Sequence, residues 1–216
     1  NWVADFERST RAEPAPTATS PTAPRGEACG VVELRRYRLH PGGREVLIDL
    51  FDRAFIEPQE ACGMAVLGQF RDLDHADRFV WLRGFADMAA RPAALAAFYD
   101  GPVWRAHRNA ANATMIDSDD VLLLTPIGPI GELRDGAGLP VCVVSWEVGG
   151  SPADPVGFEA GAPWRTIMAL ETLDAENTFP ALPVRSGEHR RVLVLRATSD
   201  DPPEPDLLAI GATDPD

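Results

Sequence analysis

Apolar residues recur along the chain with two periods, and the alternation between them outlines a fold. From Val31 to Leu39 the period is two, as in a β-strand. Val31, Glu33, Arg35, Tyr37 and Leu39 share one face; Val32, Leu34, Arg36 and Arg38 share the other. Pro41-Gly42-Gly43 breaks the strand. From Arg44 to Ile56 the spacing becomes helical, with Val46, Leu47, Leu50, Phe51, Ala54 and Phe55 on one stripe, and Pro58 marks its end. Met64 to Phe70 and Arg78 to Arg83 read as two strands joined by the polar turn 72–77, hence a hairpin. A long helix is expected from Asp87 to Asn112, kinked at Gly101-Pro102. The turn 117–120 leads to a fourth strand, Val121 to Thr125, closed by Pro126.

The order is β, α, β, β, α, β. It predicts an α+β protein with a ferredoxin-like βαββαβ domain over 29–126: an antiparallel sheet with both helices on one face. The other face needs cover, and a second sheet is the usual solution. A Gly-rich linker is expected over 127–139, after which the pattern restarts. Strands are predicted at 141–148, 165–173 and 190–198, while 151–163, with three Pro and two Gly, occupies a helix position. Residues 140–198 therefore read as a shortened second ferredoxin-like repeat. The Pro/Ala/Thr/Ser-rich stretch 1–28 has the composition of a flexible tail, apart from Trp2 and Phe6, and 199–216 reads as an acidic C-terminal tail in which Leu207 to Ile210 is the one apolar run.

Composition narrows the partners. The formal net charge is −13, which argues against nucleic acid and anionic membranes, since both call for a basic face. No apolar stretch approaches the length of a membrane span. The opening residues have neither a basic start nor an apolar segment, so no secretory leader is expected. All 20 basic residues are Arg, which excludes Schiff-base and lysine-nucleophile chemistry and suits a GC-rich bacterial coding bias. Cys29, Cys62 and Cys142 match no zinc or redox spacing; Cys62 and Cys142 fall in predicted strands as small hydrophobes, and a reduced, cytoplasmic setting fits best. The four histidines, His40, His75, His107 and His189, form no metal-ligand spacing. Asp72, Asp74 and Asp77 miss the spacing of a calcium loop, and the Gly pairs near 128–131 and 149–150 do not form a phosphate loop. A haem would need an axial histidine, for which His107 is the helical candidate; no metal and no cofactor is assigned.

Several segments resemble one family. Glu33 to Gly42 (ELRRYRLHPG) resembles the opening strand of the NIPSNAP family. Arg78 to Phe85 (RFVWLRGF), Ala90-Arg91, Phe98 to Trp104 (FYDGPVW) and Ala111 to Met115 (ANATM) resemble its third strand and second helix. Glu176 to Arg185 (ENTFPALPVR) resembles a stretch of the bacterial two-repeat type. The resemblance spans roughly 30–198 and implies a dimeric α/β barrel, in which two four-stranded sheets close on each other. At the level of fold it is similar to cofactor-free monooxygenases, polyketide cyclases and isomerases, and to haem-dependent relatives; fold alone does not carry function. The shortened second half departs from the full repeat, so a second chain is expected to supply the missing cover, as a homodimer.

In such a fold a small molecule would sit between sheet and helices. On the third strand Phe79, Trp81 and Arg83 share a face; on the first, Glu33, Arg35 and Tyr37 do. The pattern leaves open which face meets the helices. Charged and phenolic groups in a dry core must pair with each other or line a wet cavity, or else lie in a sheet interface or at a solvated edge. On the second helix Trp104, His107 and Ala111 follow i, i+3, i+7, with Asn112 beside them. His107, Asn112 and Tyr37 are the candidate acid–base and oxyanion-orienting residues, and Arg35, Trp81, Arg83 and Trp104 the candidate binding residues. Asn177, in the loop set by Glu176 to Pro180, is a further candidate to point into a pocket. The functional expectation is an apolar, aromatic or polyketide-type small molecule, bound or transformed in bacterial secondary metabolism by a cofactor-independent oxygenase, cyclase or isomerase. The alternatives are a non-catalytic ligand-binding or stress-related module, and an interaction protein acting through its dimer surface.

Overall fold

A computed structural model describes residues 29–72, 74–131, 133, 141–148 and 162–199. The two predicted tails (with Trp2, Phe6 and Leu207 to Ile210), most of the predicted linker and the helix position 151–161 lie outside the described residues.

The first strand, β1 (Val31–Leu39), has the predicted bounds. It is followed by α1 (Gly43–Leu50), a single π-helical turn (Phe51–Phe55) and α2 (Ile56–Ala61). Helical structure thus runs past Pro58, where a stop was expected. The π turn starts a new segment at Ile56, so Pro58 falls in a first turn, where a missing N–H breaks no hydrogen bond. Leu47, Leu50, Phe51 and Phe55 are buried, but Val46 is 57% exposed; it flanks the stripe instead of belonging to it. Cys62 caps α2 and is not in a strand. Gly63, at φ 90°, makes the turn into β2 in a region that disfavours side chains.

The hairpin is β2 (Ala65–Arg71) and β3 (Arg78–Phe85). The expected kinked helix is two helices, α3 (Ala90–Tyr99) and α4 (Pro102–Asn112), because Gly101 takes extended backbone and Pro102 opens the next helix at its first position. The strand β4 (Met115–Ile130) has 16 residues and passes through Pro126, where it was expected to end. Its first half pairs with β1 as far as Leu124. From Leu124 onward it pairs with β6 (Trp164–Thr172), slipping in register between Pro126 and Ile130. A proline lacking its donor is accommodated at such an irregularity. Residues 127–130 are therefore strand, not linker.

With β5 (Val141–Glu147) and β7 (Arg190–Ala197), the described strands form one seven-stranded antiparallel sheet in the order β2-β3-β1-β4-β6-β7-β5. The first four places are the ferredoxin-like order. The last three, β6-β7-β5, repeat the order of β2-β3-β1, so the second half is a shortened repeat joined through β4.

The sheet folds over on itself. Val32, Leu34, Leu82, Leu122 and Leu124 on one face of the first four strands pack against Ile167, Met168, Leu170, Val192 and Val194 of β6 and β7. The cover that the sequence reading assigned to a second chain is thus supplied within the chain. The opposite face meets the helices: Tyr37, Phe79, Trp81 and Leu123 pack with Leu47, Leu50, Phe51, Phe55, Leu95, Phe98 and Trp104.

Candidate functional site

Strand register decides which side chains meet under the helices. Across β1 and β3, Glu33 stands opposite Arg83, Arg35 opposite Trp81 and Tyr37 opposite Phe79. These are the odd positions of β1, so the charged face is the one the helices cover, the point left open by periodicity. The alternation would ordinarily place such residues in water; here Glu33, Arg35 and Arg83 are at most 1% exposed.

Glu33 is the hub. Its Oε2 accepts from Arg35 Nη1 at 2.7 Å and from Arg83 Nε at 2.8 Å. Its Oε1 accepts from Arg91 Nε at 2.8 Å. Arg83 and Arg91 each bring Nη2 to the same oxygens, at 2.7 and 2.8 Å. Arg83 Nη1 donates to Gln59 Oε1 and Tyr99 Oη, both at 3.3 Å. Arg91 Nη1 donates to Asn177 Oδ1 at 3.0 Å, so the 173–189 loop of the second half is tied to the helix side of the first. Arg35 Nε donates to Tyr37 Oη at 2.9 Å. Both tyrosines of the chain belong to this network.

Electrostatics follow from burial and pairing. Burial works to raise the Glu33 pKa, but Arg83, Arg35 and Arg91 overcome it and hold the carboxyl well below its usual range. Burial opposes charge on Arg35, yet Tyr37 and Glu33 keep it protonated above its ordinary value. Burial pushes the Tyr37 hydroxyl up against the pull of Arg35, so it holds its proton and does not act as a base near neutrality. Arg35 and Arg83 also lie over the Trp81 ring, 5.7 and 5.2 Å from its centroid.

Beside the network lies a small cavity, with about 20 Å³ open to water-sized groups, enough for one water. Arg35, Tyr37, Trp81, Trp104, Gln59 and Tyr99 contribute to its wall, together with Phe51, Phe55, Phe98, Met115, Ser118 and Leu182. Four of the sequence-predicted residues, Arg35, Tyr37, Trp81 and Trp104, therefore meet at one hollow. Arg83 lies behind them in the ion network.

His107 and Asn112 are placed elsewhere, which corrects the expectation that they face the sheet with Tyr37. On a helix the line from Trp104 to Ala111 points inward, and position 107 falls to one side of it. Trp104 and Ala111 are buried, while His107 is half-exposed. It lines a separate open groove of about 330 Å³ with Asp52, Arg53, Ala54, Glu57, Pro58 and Val103. Asn112 ends α4 and does not reach the cavity. The Asp72 carboxylate caps its own turn, accepting from the backbone N–H groups of Asp74 and His75.

Sequence reasoning left Arg91, Gln59 and Tyr99 out of the site. Arg91 stands in an Ala-rich helix with no charge signal of its own. An available clue was the surplus of arginine near Glu33, which calls for paired partners. Asn177 accepts from Arg91 and is not in the wall of the cavity.

The sequence model of the NIPSNAP family matches residues 32–129. These residues form a NIPSNAP domain. The match takes in β1 to β4, short of one residue at each end, and all the helices among the described residues. Among solved structures, an uncharacterized NIPSNAP domain protein from Burkholderia xenovorans is 16% identical, covering 45% of this chain and 95% of that one, with a TM-score of 0.42. An uncharacterized NIPSNAP-like domain protein from the same organism is 24% identical, covering 49% and 97%, with a TM-score of 0.42. A NIPSNAP family protein from Agrobacterium tumefaciens is 20% identical, covering 44% and 84%, with a TM-score of 0.41. No curated protein matches the chain. Among the described residues no helix is long and apolar enough to cross a membrane.

Proposed function

We propose that this NIPSNAP protein binds a small aromatic molecule between the β1–β3 face and the helices, and that it acts as a binding module. The observation that supports the reading is the cavity wall: Tyr37, Phe51, Phe55, Trp81, Phe98, Tyr99 and Trp104 surround a hollow that also exposes the buried Arg35 and Tyr37 polar groups. Apolar walls with a few convergent polar groups are the usual make-up of a ligand site. Binding is favoured over acid–base turnover because His107 faces a different groove and Tyr37 keeps its proton. A ligand larger than one water requires the aromatic side chains to move apart.

Because Trp81 and Trp104 both line the cavity, occupancy should alter tryptophan emission. Two measurements test the reading: native mass spectrometry of the purified chain for a retained small molecule, and emission titration with a panel of phenolic, carboxylic and neutral aromatics. The expected result is a retained molecule or a saturable response that Trp104→Phe diminishes. If no member of the panel gives a saturable response and nothing is retained, the binding reading is wrong.

A further inference from the structure

Three guanidinium groups share one carboxylate in the Glu33 network, all of them buried. Arg83 and Arg91 turn wholly onto Glu33 and its neighbours: each donates from Nε to Glu33, keeps Nη2 within ion-pair distance of the same carboxylate (2.7 and 2.8 Å) without an aligned hydrogen bond, and donates from Nη1 to neutral acceptors, Gln59 and Tyr99 or Asn177 and Thr178. Arg35 differs. Its Nη1 goes to Glu33 and its Nε to Tyr37, while its Nη2 makes no hydrogen bond among the described residues. It is also the charged residue of this set that lines the cavity, and no Asp or Glu stands in the wall with it. Beside it, the indole Nε1 of Trp81, a residue 1% exposed, donates to no acceptor. A buried donor without an acceptor, like surplus buried charge, is costly. Both excesses have the same sign: donors without acceptors, and cations without an anion.

We propose that the cavity receives a singly charged carboxylate, held by Arg35 Nη2 with the Trp81 indole N–H as a second donor. The inference rests on the reading that the cavity takes a small molecule, and adds the charge and headgroup of that molecule. A carboxylate is planar and accepts in the directions a guanidinium edge offers. It also supplies the anion that Glu33 alone does not. A neutral phenol or alcohol of the same shape would leave the surplus charge in place. The cavity as it stands holds one water, so a carboxylate enters only as the aromatic side chains move apart; formate, the smallest carboxylate, tests the headgroup by itself and benzoate tests it with a ring attached.

The experiment uses the full chain at constant low ionic strength, with tryptophan emission and thermal shift as readouts. The probes are benzoate, its neutral analogue benzyl alcohol, and formate. Benzoate is expected to bind at least about tenfold more tightly than benzyl alcohol, the scale of one hydrogen bond to a charged group. Formate is expected to compete with benzoate. Arg35→Gln should remove the preference for benzoate. Trp81→Phe, which keeps an aromatic ring and deletes the N–H, should weaken benzoate several-fold and more than it weakens benzyl alcohol, narrowing the preference between them; it decides the matter if Arg35→Gln does not fold. Benzyl alcohol binding as tightly as benzoate overturns the carboxylate assignment and leaves the binding reading standing. So does the case in which only other neutral aromatics bind. If no aromatic molecule binds, both fall together.

Discussion

Strands β1 to β4 present two faces, built from opposite materials. Toward β6 and β7 the face is aliphatic: Val32, Leu34, Leu122 and Leu124 meet Met168, Leu170, Val192 and Val194, and these side chains have no polar atom to satisfy. Toward the helices the same strands place Glu33, Arg35, Tyr37, Trp81 and Arg83, equally buried but joined by hydrogen bonds and bordering a hollow. An aliphatic core of the same volume would be at least as stable as a buried ion cluster. The dry face therefore reads as cover, and the charged face as the part of the fold whose composition stability alone does not explain.

The contrast can be broken from either side. The largest effect is expected from Glu33→Gln, which leaves three buried guanidiniums without their anion and should lower unfolding free energy by about 3–5 kcal/mol in urea titration. A loss under about 1 kcal/mol would mean that the cluster is not held by its charge. On the dry face, Leu170→Ala removes buried methyl groups and should cost about 3 kcal/mol by the same measurement. It should leave the selectivity among aromatic probes unchanged, because no ligand-facing residue moves; a change of selectivity would erase the distinction between the faces.

Acid titrates the charged face, with a smaller effect. The folded pKa of Glu33 is depressed, so its contribution is complete above the unfolded value, roughly 4.3, and is lost as pH falls below it. At pH 3 the loss should be about 2 kcal/mol, and the parent chain should lose urea resistance between pH 5 and 3 more steeply than Glu33→Gln. Parallel slopes would show that Glu33 is not the group being titrated. The smallest effect is expected for His107→Ala, which should change aromatic binding less than about twofold and stability by under about 1 kcal/mol. A large loss of binding would return His107 to the site.

Much of this was legible in the chain. The bounds of β1 follow from its period of two, the hairpin strands, β5 and β7 lie within two residues of where the sequence put them, and the shared face of Arg35 and Tyr37 follows from β1 alone. The side on which that face lies was not legible, because Glu33, Arg35 and Arg83 carry solvent-like signals and become core residues only through one another. The π turn at Phe51–Phe55 left no mark in the spacing, and Pro126 looked like an end because proline usually interrupts a central strand. His107 misled because i+3 spacing from Trp104 brings a residue near the inward line without placing it there. The homodimer expected from sequence rested on an uncovered sheet face; that face is covered within the chain.

The unbroken course of β4 has a consequence for how the protein responds to dilution. One strand pairs with β1 at its start and with β6 at its end, so the cover for the first sheet is covalently attached to it. Docking is then intramolecular, at an effective concentration in the millimolar range or above, whatever the amount of protein present. A two-chain barrel gains stability as it is concentrated and loses it as it is diluted. This chain carries its second wall on the same strand, and its melting temperature should be the same at nanomolar as at micromolar concentration.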